Sequence, residues 1–177
     1  MQVIDNGAGL EKDDLLIAFS RHSTSKIETV EDLSTIDTLG FRGEALSSIA
    51  SVAKVKALSS VNGEDSGYEI SVLDGEISQP EPAALSKGTA ISVSDLFFSI
   101  PARRKFLRTE KTEFGHIHEA IKRQALSRSD VTFSLHHNGK QTLQLAAAGS
   151  DRELNRRIAT ICGKEFAQCT VTIKREA

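Results

Sequence analysis

Two glycine-containing runs constrain the backbone of this chain more strongly than any other feature of its sequence. The first, Asp5 to Gly9, follows a short apolar stretch at residues 1–4 that has the composition of the end of a strand. The second, Gly40 to Gly43, leads directly into residues 44–50, where apolar residues have the three-and-four spacing of a buried helical stripe. The sequence therefore predicts one loop that leaves a strand and one loop that feeds the N-terminus of a helix.

The rest of the chain alternates between strand-like and helix-like patterns. Stretches rich in β-branched residues predict strands, and apolar residues three and four apart predict helices. Asn138-Gly139 is the strongest short hairpin signal in the chain. The predicted strands are 52–58, 68–73, 89–96, 131–137, 141–146 and 170–174, and the predicted helices are 11–19, 44–50, 111–127 and 151–161, with at most a short helix at 30–36. This order predicts an α+β sandwich with helices on one face of an antiparallel sheet.

The length of the chain sets the number of domains. A chain of 177 residues that is 39% hydrophobic can bury one core, with a short second unit attached. The composition changes after the small-residue run at 146–150. We therefore predict a first domain at residues 1–149 and the beginning of a second domain at residues 150–177.

Charge is distributed unevenly along the sequence. The formal net charge is −2, but residues 101–128 hold eight Lys or Arg and three Glu, a local charge of +5 that leaves −7 on the rest. Such a basic stretch can attract a polyanion, and it can equally be the solvated face of a helix. The residues that we single out for contact with such a polyanion are Arg103, Arg104, Lys105 and Arg108.

Several other kinds of site are disfavoured. The seven-residue spacing of Cys162 and Cys169 suits neither a zinc site nor a disulfide framework, which favours a reducing, intracellular setting. His116 and His118 fall on different faces of the predicted helix, so we expect no metal site there. The sequence contains no membrane-length apolar run and no signal-peptide layout, so we expect no membrane partner. The expected location is the cytoplasm of a bacterium or the nucleus of a eukaryote.

The two glycine runs match the requirements of an adenine nucleotide. The exocyclic amine of adenine needs a carboxylate acceptor, which Asp5 offers beside glycines that allow a flat ring to approach. The phosphates need backbone N–H groups at a helix N-terminus, which Gly40 to Glu44 offer. Between them, Arg21 to Lys26 supply hydroxyls and cations suited to a lid over phosphates. Taken singly, these runs are equally consistent with an ordinary turn and a surface loop.

Five motifs together resemble the MutL family of DNA mismatch repair proteins, which belongs to the wider group of GHKL ATPases. The motifs are Asp5 to Gly9, Arg21 to Ile27, Gly40 to Leu46, Gly88-Thr89 and Pro101 to Leu107. Their order and spacing are similar to those of the family over about residues 2–163. The resemblance implies a GHKL-type (Bergerat) two-layer sandwich, followed by the beginning of a ribosomal-S5-like transducer domain.

The resemblance also implies roles for individual residues. Asp5 would bond the adenine amine, and Thr89 would support that contact through water. The residues implied to contact the nucleotide are Asp5, Gly7, Gly9, Ser23, Thr24, Ser25, Lys26, Gly40, Phe41, Arg42, Gly43 and Thr89. Arg42 and Glu44 are two residues apart and can form a structural ion pair that holds the loop. We favour this role over direct participation of either side chain in the reaction.

The chain departs from the family pattern in three places, two of which bear on catalysis. The family's activating glutamate and its Mg²⁺-binding asparagine are expected upstream of Met1, and its γ-phosphate lysine beyond Ala177. We therefore predict no catalytic residue within this chain, and Mg²⁺ as a cofactor only of the intact protein. Ser99-Ile100 replaces a usual Asn-Thr pair. Whether this chain hydrolyses ATP is left open.

The function implied by the resemblance is that of a mismatch repair ATPase fragment. It would bind ATP, dimerise with a MutL-type subunit of the same or another kind, contact DNA, and couple mismatch recognition by a MutS-type partner to strand incision. Two alternatives remain: a nucleotide-binding or dimerisation module without turnover, and a gyrase-like GHKL ATPase.

Overall fold

The fold is described by a computed structural model, which covers residues 1–20, 43–61, 66–85 and 87–170. The chain divides into two compact units, Met1–Phe106 and Leu107–Ala177. The first contains β1 (Gln2–Ile4), α1 (Lys12–Ile17), α2 (Ala45–Ala50), β2 (Lys54–Ser60), β3 (Gly67–Leu73), β4 (Glu76–Ile77), β5 (Glu81–Ala83), β6 (Gly88–Ser94) and α3 (Pro101–Arg104). The second contains α4 (Glu110–Ser127), β7 (Phe133–His137), β8 (Lys140–Leu145), α5 (Asp151–Cys162) and α6 (Lys164–Gln168).

The first unit is built on one antiparallel sheet with the strand order β1-β6-β2-β3-β4. The short strand β5 pairs with β3 at the end away from β4. Val55 of β2 lies opposite Val72 of β3 on one side and Val93 of β6 on the other. Alternation along a strand places these three side chains on the same face of the sheet. That face is the one that builds the core.

Two helices cover the apolar face of this sheet. Leu15 and Phe19, in and just after α1, and Ala50 of α2 pack in one buried cluster with Val55, Ala57, Ile70 and Val72. Leu15 is 1% exposed, and its full burial is worth roughly 2 kcal/mol relative to a solvated side chain. The predicted α+β sandwich with helices on one sheet face is therefore confirmed.

The second unit combines a hairpin with two longer helices. Asn138 and Gly139 have φ angles of 50° and 74°, which is the geometry of a type I′ turn, so the predicted hairpin forms. Thr109 caps α4, and Ser150 caps α5 by accepting from Glu153 N at 3.4 Å. The Glu153 carboxylate in turn accepts from Gly149 N at 2.9 Å, and this bond lowers the pKa of Glu153. Both helices therefore begin after a residue whose side chain satisfies one of their free N–H groups.

A buried arginine joins the parts of the second unit. Arg157 of α5 is 4% exposed, and its guanidinium donates to the backbone carbonyls of Ala125, Arg128 and Ala146. The same group lies 5.6 Å from the centre of the Phe133 ring. Burial lowers the pKa of Arg157. Its N–H groups are nevertheless satisfied, because they donate to one carbonyl near the end of α4, one just after α4 and one just after β8. One side chain thus holds three segments together.

Four elements were not predicted: β4, β5, α3 and α6. Each has two to five residues, which is too short to show a period of 2 or 3.6. The compact units divide after Phe106, whereas the predicted domain boundary at 149/150 lies inside the second unit and stays a prediction. The predicted short helix at 30–36, and the predicted strand at 170–174 apart from Thr170, lie outside the described residues. None of the helices in the described ranges is long and apolar enough to cross a membrane.

Candidate functional site

The loop after β1 lies against the beginning of β6. Asp5 N donates to Thr89 O at 2.9 Å, which extends the β1 to β6 ladder by one residue beyond the Ile4 and Ala90 pair. The chain then turns away through Gly7 and Gly9 toward α1. The structure therefore brings together Asp5, Gly7, Gly9 and Thr89, which are four of the predicted site residues.

The Asp5 carboxylate is held in one orientation at the surface of the first unit. Its Oδ1 accepts from Gly7 N at 2.8 Å and from Thr89 N at 3.3 Å. Its Oδ2 has no hydrogen-bond partner among the residues that the structure describes, and the residue is exposed. A carboxylate fixed through one oxygen offers the other as a preorganised acceptor.

Two glycines allow close backbone contacts, one in the loop after β1 and one at the beginning of β6. Gly9 has a φ of 79°, and a Cβ atom there would overlap the carbonyl oxygen of Ser60. Gly88 has a φ of 95°, and its Cβ would overlap the carbonyl oxygen of Asp5. A side chain is unfavourable at both positions for two reasons, the left-handed backbone conformation and the overlap with a neighbouring backbone atom. Gly88 therefore lies against Asp5 at the candidate site, although its motif predicted no contact for it.

Ser59 is a second site residue that the sequence analysis missed. Its hydroxyl is 1% exposed, accepts from Leu10 N at 2.8 Å and donates to Gly88 O at 3.1 Å. It also lies 2.9 Å from the Thr89 hydroxyl. The predicted strand at 52–58 ended two residues early because serine is a weak strand signal, while β2 continues to Ser60.

The close approach at Gly9 yields a stability and binding prediction. We expect Gly9→Ala to lower the free energy of unfolding by about 2–4 kcal/mol and to abolish adenine nucleotide binding, because the loop must move away from Ser60. The control is Gly75→Ala, whose φ of 82° is similar but which has no heavy atom within 4 Å of an added Cβ. That change should cost only the left-handed strain of about 1–2 kcal/mol. Urea unfolding measures both variants, and an equal loss of unfolding free energy in Gly9→Ala and Gly75→Ala would contradict the close approach.

The second predicted loop is described only at its end. Gly43 has a φ of 62° and precedes α2, which begins at Ala45 after the N-cap residue Glu44. This confirms that the glycine run feeds a helix. The predicted phosphate-binding residues Gly40, Phe41 and Arg42, and the predicted lid residues Ser23, Thr24, Ser25 and Lys26, lie outside the described residues.

The basic stretch divides into paired and unpaired charges. Arg128 Nη2 bonds Asp130 at 2.7 Å and lowers the pKa of that carboxyl to about 2, and Lys122 Nζ lies 3.0 Å from Glu119. In the first unit Arg103, Arg104 and Lys105 are exposed, and in the second unit Arg108 is exposed. Within the described ranges these last four have no ion pair.

The described part of the chain contains no group of three or more His, Cys, Asp or Glu side chains that could hold a metal ion. Cys162 and Cys169 are both free and exposed. The Asp5 carboxylate has a different chemistry, since an oriented acceptor oxygen suits a ligand that carries an amine donor.

Comparison with solved structures defines the class of the fold. The chain is similar to the Aquifex aeolicus MutL ATPase domain complexed with ADP, with a TM-score of 0.68 and 34% identity over 91% of this chain and 55% of that one. It is also similar to the N-terminal domain of a DNA repair protein, with a TM-score of 0.67 and 26% identity over 92% of this chain and 47% of that one. The fold is therefore the α+β sandwich of GHKL-type ATPase domains.

Sequence comparison identifies the family within that class. MutL from Cellvibrio japonicus is 49% identical over 99% of this chain, and MutL from Vibrio vulnificus YJ016 is 48% identical over the same share. The chain belongs to the MutL family of DNA mismatch repair proteins, as its motifs suggested. It spans 28% and 27% of the length of these two relatives. No family model matches the chain.

Proposed function

We propose that the first unit binds an adenine nucleotide through Asp5, Gly7, Gly9 and Thr89. The observation that carries this proposal is the Asp5 carboxylate, fixed through Oδ1 by Gly7 N and Thr89 N while Oδ2 has no partner in the described ranges. Oδ2 accepts the exocyclic amine of adenine, and Gly7 and Gly9 shape the loop beneath the base. The related Aquifex aeolicus domain was determined with ADP, which supports this choice of ligand.

The phosphates are proposed to lie at the N-terminus of α2. Gly43 precedes this helix in a left-handed conformation, and backbone N–H groups at a helix N-terminus favour anions. Gly40, Phe41 and Arg42 would contribute further N–H groups, and Ser23 to Lys26 would form the lid. Mg²⁺ is proposed only for the intact protein.

The activity of the whole protein is a proposal that rests on the family. It comprises ATP hydrolysis, dimerisation with a MutL-type subunit, and coupling of recognition by a MutS-type partner to strand incision. The rival gyrase-like assignment is disfavoured, because the curated relatives with 46–49% identity are MutL proteins. The location, bacterial cytoplasm or eukaryotic nucleus, stays a prediction.

Isothermal titration of ADP into the chain tests nucleotide binding. We expect saturable binding at one site per chain, and the absence of any saturable heat would refute the proposal. Phosphate release from ATP, measured beside binding, separates the two functions left open by the sequence. Binding with release supports an ATPase, and binding without release supports a nucleotide-binding module.

We also propose that Arg103, Arg104 and Lys105 contact the phosphate backbone of DNA. Their charges are exposed and form no ion pair in the described ranges, unlike Lys122 and Arg128. The alternative of a solvated surface remains, and salt dependence distinguishes the two.

The DNA proposal predicts a specific change in salt dependence. The slope of log affinity against log salt is negative, and each phosphate contact adds about 0.7–0.9 to its magnitude. Replacing Arg103, Arg104 and Lys105 together by alanine is therefore expected to reduce that magnitude by about 2–3. The control is Lys56→Ala with Lys122→Ala, because both lysines are paired with glutamates, Glu69 and Glu119. A filter-binding titration in which both variants keep the wild-type slope would contradict the assignment.

A further inference from the structure

Phe106 is the most exposed large apolar side chain in the described ranges, at 84% exposure. It directly follows Arg103, Arg104 and Lys105 of the basic stretch, and it is the last residue of the first unit. A phenylalanine ring is ordinarily buried, because removing its apolar surface from water is favourable. A ring that stays in solvent among cations points to a ligand that has both negative charge and a flat apolar face.

The backbone places this ring beside the cations. The helix α3 ends at Arg104, and Phe106 N donates to Arg103 O at 3.0 Å, so the chain continues in a helical turn through this residue. Residues three apart in such a turn have neighbouring side chains, which puts the Phe106 ring on the same side as Arg103. The three cations are exposed and form no ion pair in the part of the chain that the structure describes. The ring and the charges can therefore bind the same ligand.

We propose that Phe106 stacks on an unpaired base of a DNA strand whose phosphates are bound by Arg103, Arg104 and Lys105. Proteins that bind single strands combine cations for the phosphates with aromatic side chains for the bases. Such stacking tolerates any sequence, because every base has a π face. This inference rests on the proposed contact with DNA, to which it adds a residue that contacts a base rather than the backbone.

Stacking on Phe106 requires a base with a free face. In a duplex each base is covered by its neighbours above and below, so a ring reaches a base face only where base pairs are forced apart, which is costly. The phosphates, by contrast, are accessible to cations in a duplex and in a single strand alike. The ring therefore contributes to binding of a single strand alone, whereas the cations contribute to binding of both forms.

The test compares the affinity of the chain for an oligothymidylate and for a duplex of the same length. We expect Phe106→Ala to weaken binding of the single strand by about 10-fold, because one stacking contact is lost. Duplex affinity and the salt dependence of binding should keep their wild-type values, because no cation is removed. The matched control is Phe166→Ala, since Phe166 is 56% exposed but lies in α6 of the second unit, outside the basic stretch. Wild-type affinity for the single strand in Phe106→Ala, or an equal loss for both DNAs, would overturn the inference.

A tryptophan substitution detects the stacking directly. The chain contains no tryptophan, so Phe106→Trp introduces a single fluorophore at the proposed contact. This variant should retain the affinity for oligothymidylate, and the strand should quench its emission saturably, because an indole ring stacks on bases as well. The emission of Phe166→Trp should not change, and binding without quenching in Phe106→Trp would overturn the inference. Failure of the wild-type chain to bind either DNA would refute the proposed DNA contact itself, whereas wild-type binding that Phe106→Ala retains in full refutes only the role of Phe106.

Discussion

Replacing Asp5 by asparagine is expected to weaken ADP binding by about 10- to 100-fold, with little change in folding. In one orientation the amide NH2 replaces Oδ1 and faces the N–H groups of Gly7 and Thr89, which lie 2.8 and 3.3 Å from the present oxygen. In the other orientation the NH2 faces the adenine amine. Either way a donor opposes a donor, and a charged acceptor is lost. Such a loss is worth about 1.5–3 kcal/mol, and each 1.4 kcal/mol is tenfold in affinity.

The matched control for this substitution is Asp13→Asn. It makes the same chemical change on the exposed first turn of α1 and outside the proposed site. Titration calorimetry of both variants with ADP should separate a local effect from a general loss of negative charge. Wild-type affinity in Asp5→Asn would refute the role of this carboxylate.

Replacing Arg157 by methionine is expected to lower the free energy of unfolding by roughly 3 kcal/mol or more. Methionine retains an apolar stem, but the carbonyls of Ala125, Arg128 and Ala146 lose their donor. A buried acceptor left without its partner costs about 1–3 kcal/mol. The guanidinium also leaves its position 5.6 Å from the Phe133 ring centre. Urea unfolding followed by circular dichroism measures the change.

The control for the buried arginine is Arg152→Met on the same helix. Arg152 is exposed, so the change should remain within about 0.5 kcal/mol. A loss below about 1 kcal/mol in Arg157→Met would show that water or other donors satisfy the three carbonyls. It would contradict the view that one side chain holds these segments together.

The sequence predicted the elements whose signals are local and repeated. Alternation across three strands and the helical spacing around Leu46 were enough to place the sheet and α2, and Asn138-Gly139 was enough to place the hairpin. Arg157 gave no such signal. A single arginine in an amphipathic helix is ordinarily solvated, and its three acceptors lie 11 to 32 residues away in the chain.

Site residues that lie within a sequence motif could be predicted. Residues that reach the site only through tertiary packing could not. Asp5, Gly7, Gly9 and Thr89 are within motifs of the family, and the structure brings them together. Ser59 is 29 and 30 residues from Gly88 and Thr89, and the register of β2 against β6 creates its contacts. A two-residue error in a strand end is enough to hide such a residue.

The most direct test of adenine recognition at Asp5 is an NMR titration of backbone amides in the isotopically labelled chain. With ADP, we predict saturable chemical-shift changes at Gly7, Gly9 and Thr89, because the base occupies the space beside the Asp5 carboxylate. With GDP at the same concentrations, these amides should shift far less. Equal shifts with both nucleotides, or ADP shifts confined to amides outside the loop after β1 and the beginning of β6, would contradict the account.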